Sequence, residues 1–139
     1  MNNTTLAIIK PDAFGSGKAG RILAHLEAAG FSVKAARVLC MTYEQAGAFY
    51  AVNRGRPFYD ELVSFMTSGT CMPLALERHD AVAELRRVIG ATDPAEAAPG
   101  TVRKLYAESK GRNAIHASDS DENAIREVAF FFAEVDRPG

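Results

Sequence analysis

Residues 4–11 read TTLAIIKP, and the fold is worked out from this stretch. Threonine and isoleucine favour extended backbone, and the residue before a proline is pushed the same way. A first strand is therefore expected, with Lys10 at its very end. Beyond the glycine-rich FGSGKAG (residues 14–20), Ile22, Leu23, Leu26 and Ala29 recur at helical spacing and Gly30 supplies a stop. FSVKAARVLCM (31–41) alternates enough for a second strand. TYEQAGAFYAV and PFYDELVSFMTSG then read as two short helices around the turn-like NRGR, with Pro57 opening the second. TCMPLALE (70–77) is a third strand with its proline near the start or on an edge. Ala81, Val82, Leu85, Val88 and Ile89 mark an amphipathic helix ending at Gly90.

Residues 91–113 form a long irregular stretch, in which Asp93, Pro94 and Glu96 resemble a capping box opening a single turn. Loops this long inside a domain are usually functional or disordered. AIHAS is a short fourth strand, and Asp119, Ser120 and Glu122 start a last helix carrying Ala124, Ile125, Val128, Phe131 and Phe132. Strand–helix–strand occurs twice, with extra helices inserted midway. The expected class is α+β: a ferredoxin-like split βαβ sandwich, its four-stranded antiparallel sheet carrying helices on one face, plus an inserted helical hairpin.

With 139 residues, 47% of them hydrophobic, the chain suits one domain spanning 1–139 with a proper core. A net charge of −1 gives no electrostatic case for nucleic-acid binding. No apolar run is long enough to span a membrane, and the amino terminus lacks the pattern of a secretory signal. Cys40 and Cys71 stand isolated, without metal-ligand spacing or a disulfide-dense pattern. Both are expected as buried small apolar residues, and the cytoplasm as the simplest setting.

If AIHAS is extended, Ala114, His116 and Ser118 share one face, while Ile115 and Ala117 take the other. Glu127 lies beside the apolar stripe of the last helix, where a part-buried carboxylate needs a partner. An imidazole N–H is a natural one. It would fix the ring's tautomer and leave the other nitrogen with a free lone pair. A catalytic or binding histidine and an ordinary strand histidine paired with a polar group both fit. Metal ligation fits less well, because His25 and His79 have no spacing relation to His116 and look like helix-surface residues. Lys10, Arg86 and Arg103 fall at a strand end, late in a helix and in the long loop. Arginine suits phosphate through its planar fork, but spacing alone does not make the three converge. Thr92 and Asn113 could add neutral hydrogen bonds or serve as caps and turns. FGSGKAG lacks the GxxxxGK[ST] spacing, and Ala19 stands where a metal-binding hydroxyl belongs, so a phosphate loop is rejected. Tyr50 and Phe58 border NRGR, as core aromatics or as an exposed surface for stacking on a base.

Taken in order, these segments resemble the nucleoside diphosphate kinase family from about Thr4 to Phe132. TLAIIKPDA resembles its opening strand and lysine, and RPFYDELVSFMTSG its nucleotide-gripping helical hairpin. GATDPAEAAPGTVR resembles the segment ahead of its active site, and NAIHASDS the signature around its phosphorylated histidine. The resemblance implies ping-pong transfer of the γ-phosphate of a nucleoside triphosphate, through His116, to a nucleoside diphosphate. Lys10, Tyr50, Arg103 and Asn113 would contact phosphates or ribose, Phe58 the base, and Arg86 and Thr92 the distal phosphates. Glu127 and Ser118 would orient the imidazole. It also implies Mg²⁺ carried on the nucleotide's own phosphates and a homo-oligomer, tetramer or hexamer. Two residues depart from the family pattern. Ala117 replaces a glycine, at little cost if extended, and Leu105 replaces a common acidic residue, with effects expected on loop packing or subunit contacts. A non-catalytic nucleotide-binding domain and a sheet-based RNA binder are the competing classes. The latter lacks a basic–Gly–aromatic run.

Overall fold

Leu6, Ala7, Ile8 and Ile9 in strand β1 (Thr4–Ile9) are all fully buried in the computed structural model of the chain, which describes residues 3–137. The outermost two positions at each end of the expected 1–139 domain lie outside the described residues. Leu6 and Ile8 enter one apolar cluster, while Ala7 and Ile9 enter a second on the other side of the sheet. The run is continuously apolar, not alternating, because both faces are covered. The expectation of helices on one face alone is corrected accordingly.

The sheet also contains β2 (Ser32–Ala36), β3 (Met72–Glu77) and β4 (Ile115–Ala117), ordered β2-β3-β1-β4 with every neighbouring pair antiparallel. β3 separates β1 from β2, and β1 separates β3 from β4, which is the split βαβ arrangement. Helices α2 (Ala19–Ala28), α5 (Ala81–Ile89) and α6 (Val102–Tyr106) cover one face through Ile22, Leu26, Leu85, Ile89 and Val102. Helices α3 (Tyr43–Phe49), α4 (Tyr59–Met66) and α7 (Asp121–Phe131) cover the other through Phe49, Val63, Met66, Val128 and Phe131. Each fully buried side chain of this size contributes roughly 1.5–3 kcal/mol. The second cluster therefore holds the α3–α4 hairpin and α7 against β1, the strand that pairs with the one carrying His116.

Several boundaries differ from the sequence reading. Lys10 is extended (φ −78°, ψ 164°) as Pro11 demands, and Pro11 then opens a short helix, α1 (Pro11–Gly15), to which the sequence reading gave no element. α4 starts at Tyr59, with Phe58 as its N-cap and Pro57 in the turn before it. β2 shifts register between Val33 and Ala35 and stops at Ala36, leaving Leu39 an isolated bridge to Cys71. Pro73 is second in β3, near the start as expected, but β3 is an interior strand. Its carbonyl accepts from Arg37 just past the end of β2, so the missing N–H falls where the ladder has already frayed. Asp93 Oδ1 accepts from Ala95 N–H at 3.0 Å, a local turn and not a helix capping box. The stretch read as irregular contains α6, capped by Thr101. Cys71 is buried but Cys40 is exposed, and His79 lies in an exposed turn.

Ala114 departs furthest from expectation. Its φ is +75°, and it packs in the same cluster as Ile115 and Ala117, so it does not share a face with His116. Ala117 is extended in β4, opposite Ala7, and alanine there needs no left-handed backbone. Leu105 is exposed on α6.

Candidate active site

His116 sits in β4 opposite Ile8, on the face covered by α3 and α7. Its ring meets the edges of Phe49 and Tyr50, with centroids 5.4 and 6.2 Å away. Nε2 lies 2.7 Å from Oε1 of Glu127, and the same oxygen accepts from Ser118 Oγ at 2.8 Å. Ser118 is fully buried and Glu127 nearly so. An ionised carboxylate can only accept, so Nε2 carries the proton and Nδ1 keeps its lone pair. Nδ1 has no hydrogen-bond partner among the described residues. The remaining oxygen of Glu127 lies 3.5 Å from Arg126. Ser120 caps the helix bearing Glu127, accepting from Asn123 N–H at 3.1 Å.

Lys10, at the end of β1, donates from Nζ to Asn113 Oδ1 at 2.9 Å, and Asn113 Nδ2 donates to the carbonyl of Thr92 at 3.2 Å. Burial pulls the lysine's pKa down to about 8, Arg103 adds to this, and Asp12 opposes it. Arg103 places its three nitrogens on the carbonyls of Asn113, Gly90 and Ile115. Burial, and then repulsion from Arg86, lower it to about 10. Tyr50 is pushed up by burial, Glu127 and Cys71, and its buried hydroxyl has no partner among the described residues. A hydrogen bond from Asn123 holds the Asp119 carboxyl below its usual range.

A cavity of about 300 Å³ has Lys10, Tyr50, Arg86, His116 and Glu127 in its wall. A second, of about 610 Å³, is lined by Arg86, Thr92 and Arg103, so Arg86 borders both. Asn113 links the two through Lys10 and Thr92, and Ser118 stands behind Glu127. Phe58 lies outside both walls, half-exposed on the helical hairpin. Sequence reasoning missed Arg126 and Asp119, which also border the smaller cavity. Their sequence neighbours Glu127 and Ser118 were the available signal. No cluster of three or more His, Cys, Asp or Glu able to hold a metal ion occurs among the described residues. The cations bordering the cavities are instead suited to phosphate oxygens.

A sequence model of the nucleoside diphosphate kinase family matches residues 3–136. The chain is 60% identical over 129 residues to the nucleoside diphosphate kinase of Chlorobium chlorochromatii, covering 93% of this chain and 92% of that protein. Among solved structures it is similar to the Aquifex aeolicus nucleoside diphosphate kinase, with TM-score 0.96, 45% identity and coverage of 98% and 99%. It is also similar to a halophilic nucleoside diphosphate kinase from Halobacterium salinarum, solved in complex with CDP, with TM-score 0.93, 35% identity and coverage of 100% and 93%. By sequence and by backbone alike, the chain belongs to the nucleoside diphosphate kinase family, enzymes that transfer phosphate between nucleotides.

Proposed function

We propose that the chain transfers the γ-phosphate of a nucleoside triphosphate to a nucleoside diphosphate in two half-reactions through His116, maintaining nucleoside triphosphate pools. The observation that carries the reading is the 2.7 Å contact of Nε2 with Glu127, which leaves Nδ1 as the nucleophile. In the first half-reaction Nδ1 forms a bond to the γ-phosphorus as the bond to the bridging oxygen breaks, and the diphosphate leaves with that electron pair. The ring keeps its Nε2 proton, and Glu127 offsets the positive charge that develops on it. In the second, a terminal oxygen of another diphosphate attacks the phosphohistidine and Nδ1 regains its lone pair.

Phosphoryl transfer asks the protein chiefly for in-line positioning and positive charge around the phosphate. Lys10, Arg86 and Arg103 supply that charge, and Asn113, Thr92 and Tyr50 supply neutral hydrogen bonds to phosphate or ribose. Phe58, half-exposed, offers a ring on which any base can stack, which supports broad specificity. Ser118 holds Glu127 in place. Mg²⁺ would come bound to the nucleotide as part of the substrate and would supply charge neutralisation to its phosphates. The reading includes a single cytoplasmic domain assembling as a tetramer or hexamer, as family membership supports. No helix among the described residues is long and apolar enough to cross a membrane.

Incubation with γ-labelled ATP should give an acid-labile, alkali-stable phosphoprotein that unlabelled diphosphate discharges. His116→Ala should abolish it. Label on serine, or label that survives this substitution, would overturn the mechanism.

A further inference from the structure

The residues just before β4 form a turn that an L-residue enters at a cost. Ile115 N–H donates to the carbonyl of Asn113 at 2.9 Å, two residues back, with Ala114 between them at φ +75°. That is a γ-turn of the rare, positive-φ kind, which persists only where its surroundings enforce it. Three groups do so. Asp12 Oδ2 accepts from Ala114 N–H at 3.0 Å, and Lys10 N–H donates to the Ala114 carbonyl at 2.9 Å. Arg103 grips the carbonyls of Asn113 and Ile115 from outside the turn. Asp12 is buried, and its other oxygen has no partner among the described residues. A desolvated carboxylate so placed is costly by itself, so one oxygen spent on a single backbone N–H points to a positional role.

We infer that Asp12 is a positioning residue for the proposed phosphoryl transfer: it holds Ala114 in the left-handed turn, and through that turn sets the reach of His116 and Asn113. The turn is what makes the alternation of β4 start afresh at Ile115. His116 consequently points to the side of Glu127 while Ala114 and Ile115 both enter the opposite core. Without the Asp12 acceptor, Ala114 relaxes toward negative φ, and the imidazole moves relative to Glu127 and to the Lys10–Asn113 pair. The inference rests on the reading of His116 as the phosphate acceptor.

Asp12→Ala should slow labelling of His116 by γ-labelled ATP about tenfold or more, with a smaller change in diphosphate affinity. Ala114→Gly alone should leave the rate near that of the parent, because glycine adopts positive φ freely. Combined with Asp12→Ala, it should restore most of the lost rate. Asp12→Asn keeps a carbonyl oxygen for the Ala114 N–H and should stay within a few-fold of the parent. A readout independent of turnover is the ¹⁵N spectrum of the imidazole. The Nε2-protonated form should weaken in Asp12→Ala and return in the double variant. Absence of that spectral change, or no rescue by glycine, overturns the role given to Asp12. Failure of the parent protein to become labelled overturns the phosphohistidine reading instead, and the spectra still decide the fate of Asp12.

Discussion

A buried lysine shows how binding chemistry is set against stability at a single residue. Lys10 titrates near 8 in the fold against 10.5 ordinarily, because burial disfavours its charge. The unfolded chain therefore holds that proton more tightly. Below pH 8 the penalty is present in full, and stability rises with pH between about 8 and 10.5 as the folded lysine discharges first. The penalty is about 3 kcal/mol. Lys10→Met removes it but strands Asn113 Oδ1, which takes back about 1 kcal/mol. Net stabilisation of roughly 2 kcal/mol is expected at pH 7 in urea unfolding, shrinking as the pH approaches 10.5, while labelling of His116 falls on the order of 10²-fold. A variant less stable than its parent at pH 7 would contradict this account. Lys10 could be located from sequence, since Pro11 dictates the strand end. Its depressed pKa could not, because that depends on Arg103 and on what buries it.

At the scale of elements, the site depends on how α5 hands over to α6. Gly90 ends α5 with φ +89°, and a Cβ built there would stand 2.6 Å from Oγ1 of Thr101, the residue that caps α6. The Gly90 carbonyl also receives Arg103 Nη1 at 3.1 Å. Gly90→Ala is expected to lose roughly 3 kcal/mol from backbone strain and overpacking. It should also weaken diphosphate binding, because moving Thr101 moves Arg103. Gly100 has a similar φ of +84° but open space around its Cβ position, so Gly100→Ala should lose only about 1 kcal/mol and leave binding intact. Unfolding curves and diphosphate titration of the two variants separate clash from conformation; equal losses in both would remove the clash. A stop at Gly90 was legible from helical periodicity. α6 was not, since Val102–Tyr106 is one short turn that is helical because Val102 is buried and Thr101 caps it.

At the scale of the whole molecule, the cavity walls come from Lys10 just past β1 and from α3, α4, α5, α6, β4 and α7, so a bound nucleotide joins elements that global unfolding separates. A diphosphate at a hundred times its Kd should add about 2.7 kcal/mol to the unfolding free energy. His116→Ala should keep most of that gain, because the cations and not the imidazole hold the phosphates. Thermal unfolding with and without diphosphate measures both, and a gain lost with the histidine would shift the binding energy onto the ring. Local pattern alone determined the split βαβ order, the strand end at Lys10 and the turn of the chain into α7. Those features follow from proline geometry and from periods of two and 3.6 residues, which need only near neighbours. An imidazole, by contrast, was only one natural partner for Glu127 until the packing of α7 on the sheet made the pair. Tertiary structure decided the covering of both sheet faces, the left-handed Ala114 and the gathering of Lys10, Arg86 and Arg103. They hang on contacts such as Lys10 with Asn113 and Asp12 with Ala114, whose members lie 103 and 102 positions apart. No local period encodes a meeting at that separation; only packing of the sheet brings the partners within hydrogen-bond reach.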